Sequence, residues 1–377
     1  MPEIRKLILI LLISVILCGN AFADDIEVSA HSAILCCADT GDVLYEKNAD
    51  EKMLIASTTK LMTALVVLDN AQLDEEVKPK PEWCNIEGSS MYLDYTKTYT
   101  VKELLTGMML VSGNDAATVL ANYISGSEAD FAKLMNDKAE SLGMKNSHFT
   151  NPHGLDDPEH YSTARDMAIL AESCLKNDEL MSIASQVSAA VGELTYFNHN
   201  RLLREYEGCN GLKTGYTIAA GRTLVSSAER NGMQLVCVTL NAPDDWEDHK
   251  KMLDYGFDNY SLSKFDESSF SVNLPVISAA KQTVSAVPEN EIMVLASKSD
   301  VVDVQLDAPR VLFAGGIKGE KVGQIRVIVN GKLAAEENLV YTENVIVDSS
   351  MHLTAWEKMQ RLFNMGSRPL YINEGQI

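Results

Sequence analysis

Apolar and polar positions divide the chain into stretches of different period. Residues 31–38 and 43–47 flank Asp39-Thr40-Gly41-Asp42, which predicts two strands joined by a turn. From Ser57 onward, Leu61, Met62, Leu65, Val66 and Leu68 recur at helical spacing and predict a largely buried helix. Ser57 and Thr58 suit its start, because their hydroxyls can accept bonds from the first unpaired backbone N–H groups. Residues 74–97, with Pro79, Pro81 and Gly88-Ser89-Ser90, read as irregular. Helical periodicity returns over 101–110, 116–124, 128–142 and 163–175, interrupted by a loop from Asn151 to Pro158 with strong turn chemistry. Strands follow at 211–217, 222–230 and 233–240, the last two forming a hairpin across Asn231-Gly232, and 248–260 reads as a closing helix. This order predicts a mixed α/β domain whose antiparallel sheet takes strands from both of its ends.

From Ser263 the texture changes. Short alternating segments at 292–296, 301–306 and 324–329 are separated by turns, including Asn330-Gly331, and predict a small all-β, sandwich-like domain. The expected divisions are a leader over 1–23, an α/β domain over 24–262, the β-domain over 263–347 and a tail over 348–377. In the leader, Arg5 and Lys6 precede an apolar run from Leu7 to Leu17 and an Ala21-Phe22-Ala23 cleavage site, the pattern of a secretory signal peptide. In the tail, Met351, Ala355, Trp356, Met359, Leu362 and Phe363 form an apolar stripe at helical spacing, and Lys358, Arg361 and Arg368 outnumber Glu357. Such a helix either lies in a membrane interface or packs on the β-domain.

Charge and cysteine content narrow the function. The chain carries a formal charge of −21, which disfavours nucleic acid as a partner and favours solubility. Cys36, Cys37, Cys84, Cys174, Cys209 and Cys237 lie beyond the leader. In a chain of this size they read as mostly free thiols rather than a disulfide framework. Cys36 and Cys37 should point to opposite faces of one strand. No cysteine spacing resembles a zinc site, and the histidines do not cluster as metal ligands. His153 and His160 are read as groups that brace their loop.

The chemistry gathers in three short motifs. Ser57-Thr58-Thr59-Lys60 places an amine one helical turn from a hydroxyl, so Lys60 can act as general base for a nucleophilic Ser57, provided burial or a nearby cation lowers its pKa. Ser112-Gly113-Asn114 sits between two predicted helices, and Lys213-Thr214-Gly215 opens the late sheet. The three in this order form a serine-acylase signature. Ser112 can relay a proton to a leaving nitrogen, and the Asn114 side chain can bond a substrate amide. Lys213 adds a second cation that depresses the pKa of Lys60 and attracts a carboxylate. Thr214 and Gly215 complete the substrate-binding set, with Gly215 letting an extended substrate lie against the strand. The backbone N–H groups of Ser57 and Tyr216 can form an oxyanion hole.

On these motifs the sequence resembles the D-alanyl-D-alanine carboxypeptidases among the low-molecular-mass penicillin-binding proteins. The likeness extends to Ser90-Met91-Tyr92-Leu93, Asn151 to Leu155, His160 to Ala164, Lys213 to Thr217 and Lys251 to Phe257, and more loosely to Lys318-Gly319-Glu320-Lys321-Val322-Gly323. It implies a penicillin-recognising serine transferase fold without metal or cofactor, acting outside the cytoplasmic membrane. It also implies removal of the terminal D-alanine from peptidoglycan pentapeptide stems, and acylation by β-lactam antibiotics. One departure stands out. Some relatives carry an arginine after the late sheet that holds the substrate carboxylate, whereas here that region reads Asn241-Ala242-Pro243-Asp244-Asp245-Trp246. Lys213, the Thr214 hydroxyl or Arg222 would have to do this work. The rival readings are a D,D-endopeptidase, a serine β-lactamase of the same fold, and a non-catalytic β-lactam or peptidoglycan sensor. A β-lactamase needs a second base, and Glu128, Glu140 and Glu172 do not lie in the motif such enzymes use.

Overall fold

The computed structural model describes residues 26–277, 279 and 281–347, so the expected leader and the amphipathic tail lie outside the described residues. The first domain is built on a five-stranded antiparallel sheet in the order β2-β1-β9-β8-β7, with β1 at Ser32–Cys37, β2 at Val43–Lys47, β7 at Cys209–Thr217, β8 at Gly221–Arg230 and β9 at Met233–Leu240. Strands from both ends of the domain do share the sheet. β1 is buried along its whole length because helices cover both faces, and so its sequence is a continuous apolar run. On β1 and β9, Ile34, Cys36, Val236, Val238 and Leu240 face one core, and Ala33, Leu35, Cys37, Leu235 and Cys237 face the other. Cys36 and Cys37 therefore do diverge, and all six described cysteines are free thiols.

The first core is filled by helices α1 (Lys60–Asn70), α2 (Pro81–Cys84), α3 (Val101–Leu110), α4 (Asn114–Ser125), α5 (Glu128–Leu142), α6 (Ala164–Leu175) and α7 (Asp178–Ala184). A short α8 (Leu202–Glu205) precedes β7. On the other face, α9 (Asp245–Asn259) contributes Met252, Leu253 and Phe257 to the second core. Two small pairs complete the domain, β3 (Glu76–Val77) with β4 (Tyr99–Thr100) and β5 (Ser188–Val191) with β6 (Leu194–Phe197).

Strand β10 (Tyr260–Phe265) runs across residue 262 and pairs with β13 (Ile292–Ser297). The remaining strands are β11 (Val272–Ile277), β12 (Thr283–Pro288), β14 (Val302–Asp307), β15 (Leu312–Phe313), β16 (Lys321–Val329) and β17 (Lys332–Tyr341). They form one sheet in the order β14-β16-β17-β12-β11-β15. Asn231-Gly232 and Asn330-Gly331 both turn their hairpins with positive φ at both residues, as the sequence predicts.

Candidate active site

The nucleophile candidate stands on a strained turn, not on a capped helix start. Residues 56–59 form a 3-10 turn leading into α1, and neither Ser57 nor Thr58 accepts a capping bond. Instead the Thr58 Oγ1 donates to the Ile55 carbonyl (2.5 Å). The expectation of a hydroxyl cap fails because these hydroxyls are engaged elsewhere. Ala56 adopts a left-handed conformation (φ 46°), a costly state for alanine that the surrounding packing must hold in place. Part of that packing is Gly154, where a Cβ would come within 1.9 Å of the Ala56 carbonyl.

Lys60 is fully buried, and three acceptors surround its amine. Nζ lies 3.0 Å from the Ser57 Oγ, 2.7 Å from Asn114 Oδ1 and 2.7 Å from the His153 carbonyl oxygen. Burial holds its pKa well below that of an ordinary lysine. The Lys213 charge lowers it further, and Asp115 opposes the shift. As a neutral amine, Lys60 has two hydrogens for the amide and carbonyl oxygens, which leaves its lone pair facing the serine hydroxyl.

Asn114 also does work within the protein. Its Oδ1 holds Lys60, and its Nδ2 donates to the Glu87 carbonyl (2.6 Å), so both ends of the amide are engaged within the protein. Its second Nδ2 hydrogen is left over for a substrate carbonyl. Ser112 is the opposite case. Its Oγ is buried without a hydrogen-bond partner among the described residues, and its backbone is left-handed (φ 61°). An orphaned hydroxyl held at a backbone cost, on the wall of the cleft beside Ser57, suits a group that bonds only when substrate is present.

Beneath this wall, the buried Asp115 carboxylate accepts from the Ser90 hydroxyl and from the Met91 and Leu93 N–H groups. It thereby fixes the loop that presents Ser89 to the cleft. Met91 in turn accepts at its carbonyl from the Tyr196 hydroxyl, tying that loop to the β5–β6 hairpin. Sequence reading missed Asp115 because its partners lie more than 20 residues away. The two loop histidines brace, as expected. The His160 Nδ1 accepts from the Thr150 N–H, so Nε2 carries the proton toward Thr59 Oγ1 (2.8 Å). Burial pushes this imidazole down to about 3.

The opposite wall is the sheet-edge strand β7. Lys213 is 1% exposed and donates to the Thr214 carbonyl (2.9 Å), and burial lowers its pKa to about 7. Gly215 abuts the nucleophile turn so closely that a Cβ there would lie 2.4 Å from Thr223 Oγ1 and 2.9 Å from the Ser57 nitrogen. Only glycine fits that contact. Ser57, Ser112, Thr214, Gly215 and Tyr216 line one cleft of about 280 Å³. His199, Arg222, Asp245 and Trp246 line it too, and of these the sequence had pointed only to Arg222. Asp245 is the sole carboxylate among the described residues lining the cleft, and Arg222 donates to it (2.8 Å). Glu128 lies behind the site, bonded to Thr118 and 3.6 Å from the His153 Nε2. Among the described residues lining the cleft, no free acid is thus placed to activate a deacylating water in the way the β-lactamase reading requires.

Residues 20–244 match the family model described as D-alanyl-D-alanine carboxypeptidase, and residues 257–346 match that of the penicillin-binding protein 5 C-terminal domain. The D-alanyl-D-alanine carboxypeptidase DacF of Bacillus subtilis (strain 168) is 33% identical over 368 residues, which cover 90% of this chain and 95% of that protein. DacC of Escherichia coli (strain K12), also named a D-alanyl-D-alanine carboxypeptidase, is 34% identical over 349 residues and 85% of each chain. Among solved structures, penicillin binding protein 5 from Haemophilus influenzae superposes with a TM-score of 0.68 at 30% identity, covering 85% of this chain and 98% of that one.

Proposed function

The chain belongs to the D-alanyl-D-alanine carboxypeptidase family, and we propose that it trims the terminal D-alanine from peptidoglycan pentapeptide stems through an acyl-enzyme on Ser57. It is a serine-type carboxypeptidase and a penicillin-binding protein. The observation that carries the residue assignment is the buried Lys60 amine, 3.0 Å from the Ser57 hydroxyl with two other acceptors for its hydrogens.

In this reading Lys60 accepts the Ser57 proton as Oγ bonds to the carbonyl carbon of the penultimate D-alanine. The Ser57 and Tyr216 backbone N–H groups steady the oxyanion. The C–N bond then breaks, and the terminal D-alanine leaves with a proton passed from Lys60 through Ser112. Water hydrolyses the ester, and the proton it gives up returns the Ser57 hydroxyl. A β-lactam follows the same first step, but its leaving nitrogen stays tethered in the opened ring. The test is free D-alanine from a pentapeptide stem. Wild type should release it, and Ser57→Ala should neither release it nor take up a penicillin label. Release by that variant would remove Ser57 from the nucleophile's role.

Export by the leader and attachment of the tail to the outer face of the membrane extend this reading. The tail's cationic apolar stripe supports it, because a wall-trimming enzyme gains from being held beside its substrate. Full chain and a chain ending at Val347 should differ in co-sedimentation with anionic liposomes. Equal partitioning would make the tail a packing element.

A further inference from the structure

The acyl-enzyme on Ser57 must be discharged by water, so the cleft needs a group that can take that water's proton. Arg222 and Asp245, the charged side chains that line the cleft, are bonded to one another. Lys213 is almost wholly buried, with its amine turned onto the Thr214 carbonyl. The Lys60 amine gives its hydrogens to Asn114 and His153 and faces the serine oxygen that carries the ester. His199 is the remaining basic side chain among the described residues that line the cleft.

A clamped strap of three residues presents it. Asn198 is buried, and its Nδ2 donates to the Ala184 and Gln186 carbonyls (3.2 and 3.0 Å). Its Oδ1 accepts from the Asn200 N–H (2.9 Å), and the Asn200 Nδ2 donates to the Gly211 carbonyl (2.9 Å). Between them the His199 N–H donates to the Leu110 carbonyl (3.0 Å). The strap thus joins the end of α3, just before Ser112, to β7 just before Lys213. Its imidazole is the part left without a bond, since neither ring nitrogen is hydrogen-bonded to another described residue. The walls partly desolvate the ring and the Lys213 charge opposes a second ring proton, so its pKa lies below the ordinary imidazole value. At neutral pH the ring is therefore neutral, with one nitrogen free as an acceptor. It shares the cleft with the equally unpartnered Ser112 hydroxyl.

The terminal D-alanine takes its proton through Ser112 and leaves the space on that side of the cleft. By reversal of the same path, water reaches the ester carbon from the place the amine has vacated. We propose that His199 is a catalytic residue of this second half-reaction and takes the proton of the water that hydrolyses the acyl-enzyme. The water oxygen bonds to the acyl carbon as one hydrogen passes to the imidazole, and the ester bond to the Ser57 Oγ then breaks. That proton returns through Ser112 and Lys60 to the Ser57 oxygen, and the freed carboxylic acid ionises into solvent. A β-lactam leaving group stays tethered in the same space and keeps water from His199.

This rests on the acylation of Ser57 proposed above. A stem analogue ending in D-alanyl-D-lactate tests it, because an alkoxide leaves more easily than an amine and discharge becomes the slow step. Full-chain His199→Gln and His199→Ala should hydrolyse this ester about 100-fold more slowly than wild type, a typical weight for general-base catalysis. Intact-mass measurement should show more acyl-enzyme standing on Ser57 in both variants. Labelling by benzylpenicillin needs acylation alone and should stay within about three-fold of wild type, which also certifies the fold. Added imidazole should restore part of the discharge in His199→Ala, a response that a purely structural role would not give. Equal discharge by wild type and both variants would overturn the proposal and leave the water to Lys60. A loss of penicillin labelling as large as the loss of discharge would overturn it as well. A wild type that penicillin does not label at Ser57 would instead overturn the acylation beneath it.

Discussion

Between Ser32 and His249 the interior of the protein holds Lys60, Lys213, Asp115, Asp248, His160 and His249 among apolar side chains. Between Tyr260 and Val347 the described interior is apolar throughout, with no buried polar or charged side chain. The second domain follows the rule that alternation puts hydrophobic groups inside. The first departs from it at its active site and again away from it, where Asp248 holds Ala30 and His249 lies between Ser226 and Thr239. A buried lysine is costly because its charged form loses hydration, and it is retained only where hydrogen bonds and function compensate. That cost is also the source of reactivity here, since the burial that disfavours the Lys60 ammonium is what frees its amine to act as a base.

The contrast is broken most severely by leaving the charge and removing the ability to lose it. Lys60→Arg keeps a cation in the first domain but cannot deprotonate, so penicillin acylation should fall at least about 1,000-fold, a typical weight for general-base catalysis. Lys213→Arg should fall far less, because Lys213 acts by charge. Similar rates of labelling for the two variants would place the base elsewhere.

Acid separates the domains by a smaller amount. His160 and His249 are buried with pKa values of about 3, below the 6.5 of an exposed imidazole. The unfolded chain therefore takes up protons first, and stability present above pH 6.5 is lost as pH falls toward 3. The loss is roughly 1.4 kcal/mol per pH unit for each histidine. Residues 260–347 contain no histidine. Hydrogen exchange should show protection falling first in β1, β8 and β9 and last in β16 and β17 as the pH is lowered from 6.5 to 4. A uniform loss across both domains would contradict this.

The same contrast explains what could be read from the sequence. The five sheet strands of the first domain, its long helices and both Asn-Gly hairpins follow from local periodicity and turn chemistry. Of the three motifs, Ser57, Ser112, Thr214 and Gly215 line one cleft, with Lys60 buried behind Ser57 and Lys213 beside Thr214. What escaped depends on partners remote in the chain. That Asn114 also holds the Lys60 amine, 54 residues away, leaves no local mark in the sequence. Arg222 gains its orientation from Asp245 and Trp246, in a region notable for lacking an arginine. The 3-10 turn at Ser57 is set by tertiary packing against Gly154 and Gly215, which overrides the capping preference of serine and threonine. Strand β10 begins immediately after α9, so no linker marks the passage from one domain to the next.

The central claim, that a neutral Lys60 activates Ser57, is tested most directly by the pH dependence of penicillin acylation in the wild-type protein. Deprotonation of Lys60 should give a limb that rises with pH and levels off well below the ordinary lysine range. Lys213→Met, which removes the neighbouring positive charge, should move that limb to higher pH. A limb centred near pH 10, or a rate that does not change between pH 5 and 9, would mean that Lys60 is not the base.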